Sequence, residues 1–159
     1  MEERGQHFLY PATLYASVDP CIVTTVLGSC VSVCLWDNIL NVGGINHFML
    51  PLWNGDGLAS PKFGNIANEK LLEKMYSFGC KKINIKAKVF GGGEVIETTI
   101  KHFNIGERNI KIALDFLEEE KIPIIAQSVG GKLGRKIIFN SQTGEILHKL
   151  IQKTCIINQ

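Results

Sequence analysis

Three features of the chain predict an α/β layered sandwich with mixed sheets. Short β-branched or alternating segments recur between residues 22 and 150, two longer segments carry apolar residues at helical spacing, and only one or two strand-to-strand steps pass through a helix. The last feature argues against a doubly wound nucleotide-binding fold, which is assembled from helix crossovers.

The elements follow in order. Residues 22–26 are β-branched throughout and predict a strand. Val31, Val33 and Leu35 alternate with Ser32, Cys34 and Trp36, so residues 30–36 form a second one. Asp37-Asn38 begins a turn, and residues 42–50 return as the antiparallel partner. Residues 51–62 carry two prolines, two glycines, Asn54 and Asp56, and read as a mobile surface loop. Ile66, Ala67, Leu71, Met75 and Phe78 share one face of a helix over 65–78, closed by Gly79. A strand over 83–90 runs into Gly91-Gly92-Gly93. A second helix covers about 107–120, with Ile110, Ala113, Leu114 and Leu117 on one face. Residues 123–129, 135–140 and 145–150 are strands, the last two joined by a Ser141-Gln142-Thr143-Gly144 turn.

The 159 residues suit one domain, with no repeat or linker to divide them. Hydrophobic residues at 45% and charged residues at 20% are enough to fill one core. A formal charge of +2, from lysines spread along the chain, is too weak a bias for nucleic acid or an anionic membrane. No apolar run approaches the ~20 residues of a membrane span. The polar start, Met1 to His7, leads into no signal-peptide core, so a cytoplasmic protein is expected. Five cysteines (Cys21, Cys30, Cys34, Cys80, Cys155) without framework spacing are expected to be free thiols. His7, His102 and His148 have no partner motif and are assigned to surface or packing.

Cys30 stands where one strand has ended at a Gly28-Ser29 turn and another begins. Such a turn exposes a side chain, lets a substrate approach closely, and can aim successive amides at one anionic atom. A thiol of ordinary pKa, about 8.5, needs a base to become a nucleophile at neutral pH. If the two strands pair as a hairpin, His47 lies across from the beginning of the Cys30 strand, although a one-residue slip would turn it to the wrong face. Other readings stand beside this one. Cys30 could be a small core residue and His47 a hydrogen-bonded structural one. Zinc on Cys30, Cys34 and His47 fits poorly, because four residues of strand separate the thiols by about 13 Å.

Leu27-Gly28-Ser29-Cys30-Val31-Ser32-Val33-Cys34-Leu35-Trp36-Asp37 and Gly43-Gly44-Ile45-Asn46-His47-Phe48-Met49-Leu50-Pro51 resemble the signature of the CheD family, chemoreceptor glutamine deamidases of chemotaxis. The likeness extends through Lys88-Val89-Phe90-Gly91-Gly92, Ile105-Gly106-Glu107-Arg108-Asn109, Gly130-Gly131-Lys132-Leu133-Gly134-Arg135 and Thr143-Gly144, covering about residues 10–150. Gly93, Cys80 and the Phe63-Gly64-Asn65-Ile66-Ala67 stretch depart from it. The resemblance implies a three-layer α/β/β sandwich, Cys30 as nucleophile, His47 as base, and Thr24, six residues before the cysteine, as the residue orienting the histidine. Gly28 and Ser29 would frame the oxyanion site, and no metal or organic cofactor is implied. The implied substrate is glutamine on the cytoplasmic helices of methyl-accepting chemoreceptors; a glutamyl methyl ester is the same acyl group with a better leaving group, so methylesterase side activity is expected beside it. The implied partner is a CheC-type phosphatase, and a purely regulatory binding module for it is the rival reading. A small-molecule cysteine amidase is a third.

Overall fold

The computed structural model describes residues 5–95 and 104–151; Cys155 and His102 lie outside the described residues. Two mixed sheets and one layer of two helices make the three-layer α/β/β sandwich that the sequence and the resemblance lead one to expect. The five-stranded sheet has the order β2 (Thr13–Ser17), β5 (Val42–His47), β4 (Val31–Asp37), β6 (Ile85–Gly91), β7 (Ile124–Val129). The four-stranded sheet has the order β1 (Gly5–Phe8), β3 (Cys21–Leu27), β8 (Gly134–Asn140), β9 (Ile146–Ile151). Among the described strands only β1/β3 and β6/β7 pair in parallel, and the second pair is joined by the crossover helix α2 (Ile105–Glu119).

Both helices cover the same face of the larger sheet, α1 (Gly64–Ser77) over β5 and β2 and α2 over β4 and β6. The period-two side-chain rule then sorts β4 into two cores. Val31, Val33 and Leu35 face the helices and pack with Leu71, Met75 and Leu117, whereas Cys34 joins Val23, Leu27, Ile45, Ile137 and Phe139 between the sheets. Because both faces are covered, β4 and β5 are buried almost without interruption. No helix among the described residues is long and apolar enough to cross a membrane.

Helix α1 ends as its sequence directs. Gly79 takes φ +93°, its N–H bonds to Tyr76 and that of Cys80 to Met75, the paired bonds of a Schellman cap. Four expectations need revision. The edge strands β1 and β2 carry no alternation in sequence and are extra. Residues 82–84 form a 3₁₀ turn, so β6 begins at Ile85. Strand β5 stops at His47, with only an isolated bridge from Phe48 to Val31 beyond it. The 51–62 segment closes on itself: Met49 and Leu50 N–H both bond the Lys62 carbonyl, and the Trp53 N–H bonds Asn65 Oδ1. It is an Ω-type loop tied at its neck directly after the His47 strand.

Cys34, 2% exposed and apolar in its surroundings, is a packing residue. Replacing it by Ser should cost about 1–3 kcal/mol of stability through a buried, poorly paired hydroxyl. A urea titration beside an activity assay checks this, with loss of catalysis in a folded Cys34→Ser protein as the contrary result.

Candidate active site

The ladder that pairs Val31 with Phe48 and Cys34 with Ile45 keeps one register along β4 and β5. In that register Ser32 lies opposite His47, and Cys30 is the diagonal neighbour of His47 on the same face. That face is the space between the sheets. Cys30 sits at its open end, half-buried, while Cys21, Cys34 and Cys80 are buried.

His47 is 2% exposed and reaches across to the other sheet, where its Nδ1 lies 2.7 Å from Thr25 Oγ1. The tautomer follows from a proton count. Thr25 has one hydroxyl proton and donates it to the Leu9 carbonyl, 2.7 Å away, which can only accept. Thr25 must therefore accept from Nδ1–H, which leaves Nε2 as the bare lone pair. Nε2 is buried and has no hydrogen-bond partner among the described residues. A side chain held at one nitrogen and open at the other is arranged as a base.

Thr24, the position the resemblance implies for this role, does not meet the histidine. Along β3 the inward side chains are Cys21, Val23, Thr25 and Leu27, so Thr24 points out and lines a surface hollow with Gln6, Phe8 and Ile22. Its carbonyl accepts the Leu9 N–H, so Thr24 supports the site only through the backbone. The correction is a one-residue change of strand face.

The turn carrying Cys30 is locked from behind. Gly92 N–H bonds the Cys30 carbonyl at 2.9 Å and Gly93 N–H bonds that of Gly28 at 3.0 Å. Gly91 takes φ +112°, and a Cβ there would stand 2.2 Å from the Cys30 carbonyl oxygen, so only glycine allows this approach. Among the described residues the N–H groups of Gly28, Ser29 and Cys30 donate to no carbonyl, which leaves them available for an oxyanion. Sequence reasoning missed Thr25, Leu9, the lock formed by Gly91 to Gly93, and Asn109, whose amide nitrogen is 3.0 Å from the Ser29 carbonyl. Among the described residues no group of three or more His, Cys, Asp or Glu side chains gathers as a metal site would.

Burial keeps the pair neutral. It raises the Cys30 thiol above its ordinary pKa, with the residue's own backbone N–H pulling slightly the other way. It lowers the His47 imidazole from 6.5 to about 4. Desolvation penalises both charged forms, so the resting site holds thiol and imidazole.

Residues 49–150 match the family described as CheD chemotactic sensory transduction. The chain is 51% identical over 142 residues to the probable chemoreceptor glutamine deamidase CheD of Trichlorobacter lovleyi, covering 89% of this chain and 88% of that protein. It is 44% identical over 153 residues to the protein of the same description in Sulfurimonas denitrificans, covering 96% and 98%. The chain belongs to the CheD family. The counterpart from Rhodospirillum rubrum is 40% identical over 151 residues, covering 95% of this chain and 85% of that one. The match to the CheD family model begins at Met49, but the Sulfurimonas relative spans nearly the whole chain, including Cys30 and His47.

For this CheD family member, the neutral His47 has a consequence for stability. Its folded pKa, about 4, lies below the ordinary 6.5, so the unfolded chain binds the proton first. The stability contribution is complete above about 6.5 and is lost as pH falls toward 4. Denaturant midpoints of His47→Gln should therefore fall less over that window than those of wild type. Equal losses in the two proteins would contradict a buried neutral imidazole.

Proposed function

We propose that the chain deamidates glutamine side chains of chemoreceptors, with Cys30 as nucleophile, His47 Nε2 as base and Thr25 as the residue orienting the imidazole. The observation that carries this reading is the buried, unpartnered Nε2, fixed as a lone pair by Thr25, in the same interlayer space as the half-exposed thiol of Cys30.

The steps balance as follows. His47 Nε2 takes the Cys30 proton as sulfur bonds to the glutamine side-chain carbonyl carbon. The N–H groups of Gly28, Ser29 and Cys30 hold the oxyanion. The Nε2 proton passes to the amide nitrogen, the C–N bond breaks and ammonia leaves. A water then gives its proton to Nε2 and its oxygen to the thioester carbon, sulfur departs and regains the proton, and glutamate remains. Throughout, Nδ1–H stays bonded to Thr25, and the Thr25 hydroxyl to the Leu9 carbonyl, a chain able to stabilise the transient imidazolium. A glutamyl methyl ester is the same acyl group with methanol as leaving group, so the proposed mechanism extends to methylesterase side activity.

A glutamine on a folded receptor helix must be met at an accessible mouth. The 51–62 loop starts two residues after Met49 and presents Leu58 at 83% exposure and Leu52 at 55%, apolar contacts suited to one side of such a helix. A helix of a CheC-type phosphatase would compete for the same surface. Receptor cytoplasmic helices as substrate place the enzyme in the cytoplasm.

Incubation with a receptor cytoplasmic fragment, read by mass spectrometry, should show a gain of about 1 Da at glutamines. Cys30→Ala should lower this at least ~10³-fold while the fold persists. Retention of a substantial fraction of wild-type activity would remove Cys30 from the nucleophile role.

Thr25→Val and Thr24→Val separate the two threonines. Thr25→Val keeps the shape but strands Nδ1–H and the Leu9 carbonyl, and should lower kcat roughly tenfold or more. Thr24→Val should stay near wild type, and the opposite ranking would restore Thr24.

A further inference from the structure

Asn109, in the second turn of α2, is fully buried and makes two bonds with one amide group. Its Nδ2 lies 3.0 Å from the Ser29 carbonyl and 3.0 Å from the Met49 carbonyl. Ser29 precedes Cys30, and Met49 follows His47 by two residues. These carbonyls stand at the open end of the β4–β5 ladder, past its last backbone rung between Val31 and Phe48. Beyond that rung the Met49 N–H turns away to Lys62, and among the described residues no backbone bond joins the two segments. Asn109 supplies the missing cross-link from a third element. Helix α2 reaches it because Gly106 and Gly92 pack backbone to backbone: a Cβ on Gly106 would lie 2.4 Å from the Gly92 oxygen.

We infer that Asn109 is a positioning residue that sets the approach of the Cys30 thiol to His47 Nε2. The inference rests on the reading of Cys30 and His47 as the reacting pair. The Asn109 Oδ1 is buried without a partner, so the side chain is held by its donors alone. Flipping the amide would lose both bonds and set oxygen against two carbonyls. With both bonds made, the turn behind the nucleophile and the segment behind the base cannot separate, and loss of alignment by about 1 Å can cost roughly 10²-fold in rate. A purely structural asparagine could serve equally well by anchoring α2 anywhere; this one spends both protons on the two segments that carry the chemistry.

The test reads how strongly Cys30 depends on His47. Site-resolved iodoacetamide labelling of Cys30 is followed in pairs of proteins with and without His47→Ala, in wild-type, Asn109→Ala, Asn109→Asp and Leu117→Val backgrounds. In the wild-type background His47→Ala should slow labelling roughly 10²-fold, the low end of general-base effects. In both Asn109 backgrounds that ratio should collapse toward one, whatever the absolute rate. Leu117→Val loosens the buried face of α2 without touching either carbonyl and should keep the wild-type ratio. A ratio unchanged in folded Asn109→Ala or Asn109→Asp overturns the inference, as does a collapse in Leu117→Val. If neither Asn109 variant folds, Asn109 is a structural anchor and the positioning role falls. A ratio of one already in the wild-type background sinks the His47 assignment instead, so the two failures are distinguishable.

Discussion

The chain of bonds from His47 Nδ1–H through the Thr25 hydroxyl to the Leu9 carbonyl is the interaction on which the rest of the site depends. It joins the two sheets through a largely apolar layer, where an unmade hydrogen bond costs about 1–3 kcal/mol. Each group has one role left once its neighbour is fixed: the carbonyl can only accept, so the hydroxyl must donate to it and accept from the imidazole. Direction along the chain thereby becomes a property of the base. A single threonine on the inward face of β3 decides which nitrogen carries the lone pair, and β3 must sit in one register with β8 and β1 for it to be there.

Cys30 is held by a different device. Its turn is pinned by donors from the Gly91-to-Gly93 segment on one side and by the Asn109 amide on the other. All these bonds go to carbonyl oxygens, and among the described residues the turn's own N–H groups donate to no carbonyl. The proposed oxyanion site would thus arise by satisfying one half of the peptide groups and leaving the other half open, with no rearrangement needed at the moment of reaction. Glycine is required where the β6 backbone meets the Cys30 carbonyl, because the close contact that positions the turn leaves no space for a Cβ.

The placing of Cys30 and His47 on one face of the hairpin was legible in the sequence, and the residues that support them were not. Alternation over residues 30–36 shows which β4 side chains share the Cys30 face, and the short turn after Asp37 fixes the partner strand, so His47 could be placed by counting. For the orienting threonine counting gives no answer. Ile22 and Val26 flank Thr24 as Val23 and Leu27 flank Thr25, both faces look apolar, and a strand bordered this way offers no parity signal. Only the packing, with Val23 and Leu27 in the interlayer core, selects Thr25. Strands β1 and β2 went unseen because edge strands of four and five residues carry little buried face. Asn109 lies on a helix whose apolar periodicity was plain, but an asparagine on that face reveals nothing of the two carbonyls it meets 60 and 80 residues away.

Among the described residues, three of the five buried side-chain polar atoms without partners lie around Cys30 and His47. Ser32 Oγ faces His47 across the ladder, Nε2 is bare, and Asn109 Oδ1 lies behind the turn. Native folds satisfy nearly all such atoms, and exceptions call for a reason. For Nε2 the proposed mechanism supplies the reason. A donor placed against it in the free protein would occupy the lone pair that must receive the thiol proton, and would have to be displaced on every turnover. A carboxylate placed there would favour the imidazolium and remove the base altogether. Leaving Nε2 empty in a desolvated site keeps it a weak base in isolation, yet one whose proton affinity rises as negative charge develops on the neighbouring sulfur. In the proposed mechanism, the stability forgone at this one atom leaves a base that does not draw the proton from the half-buried thiol before a substrate carbonyl is in place.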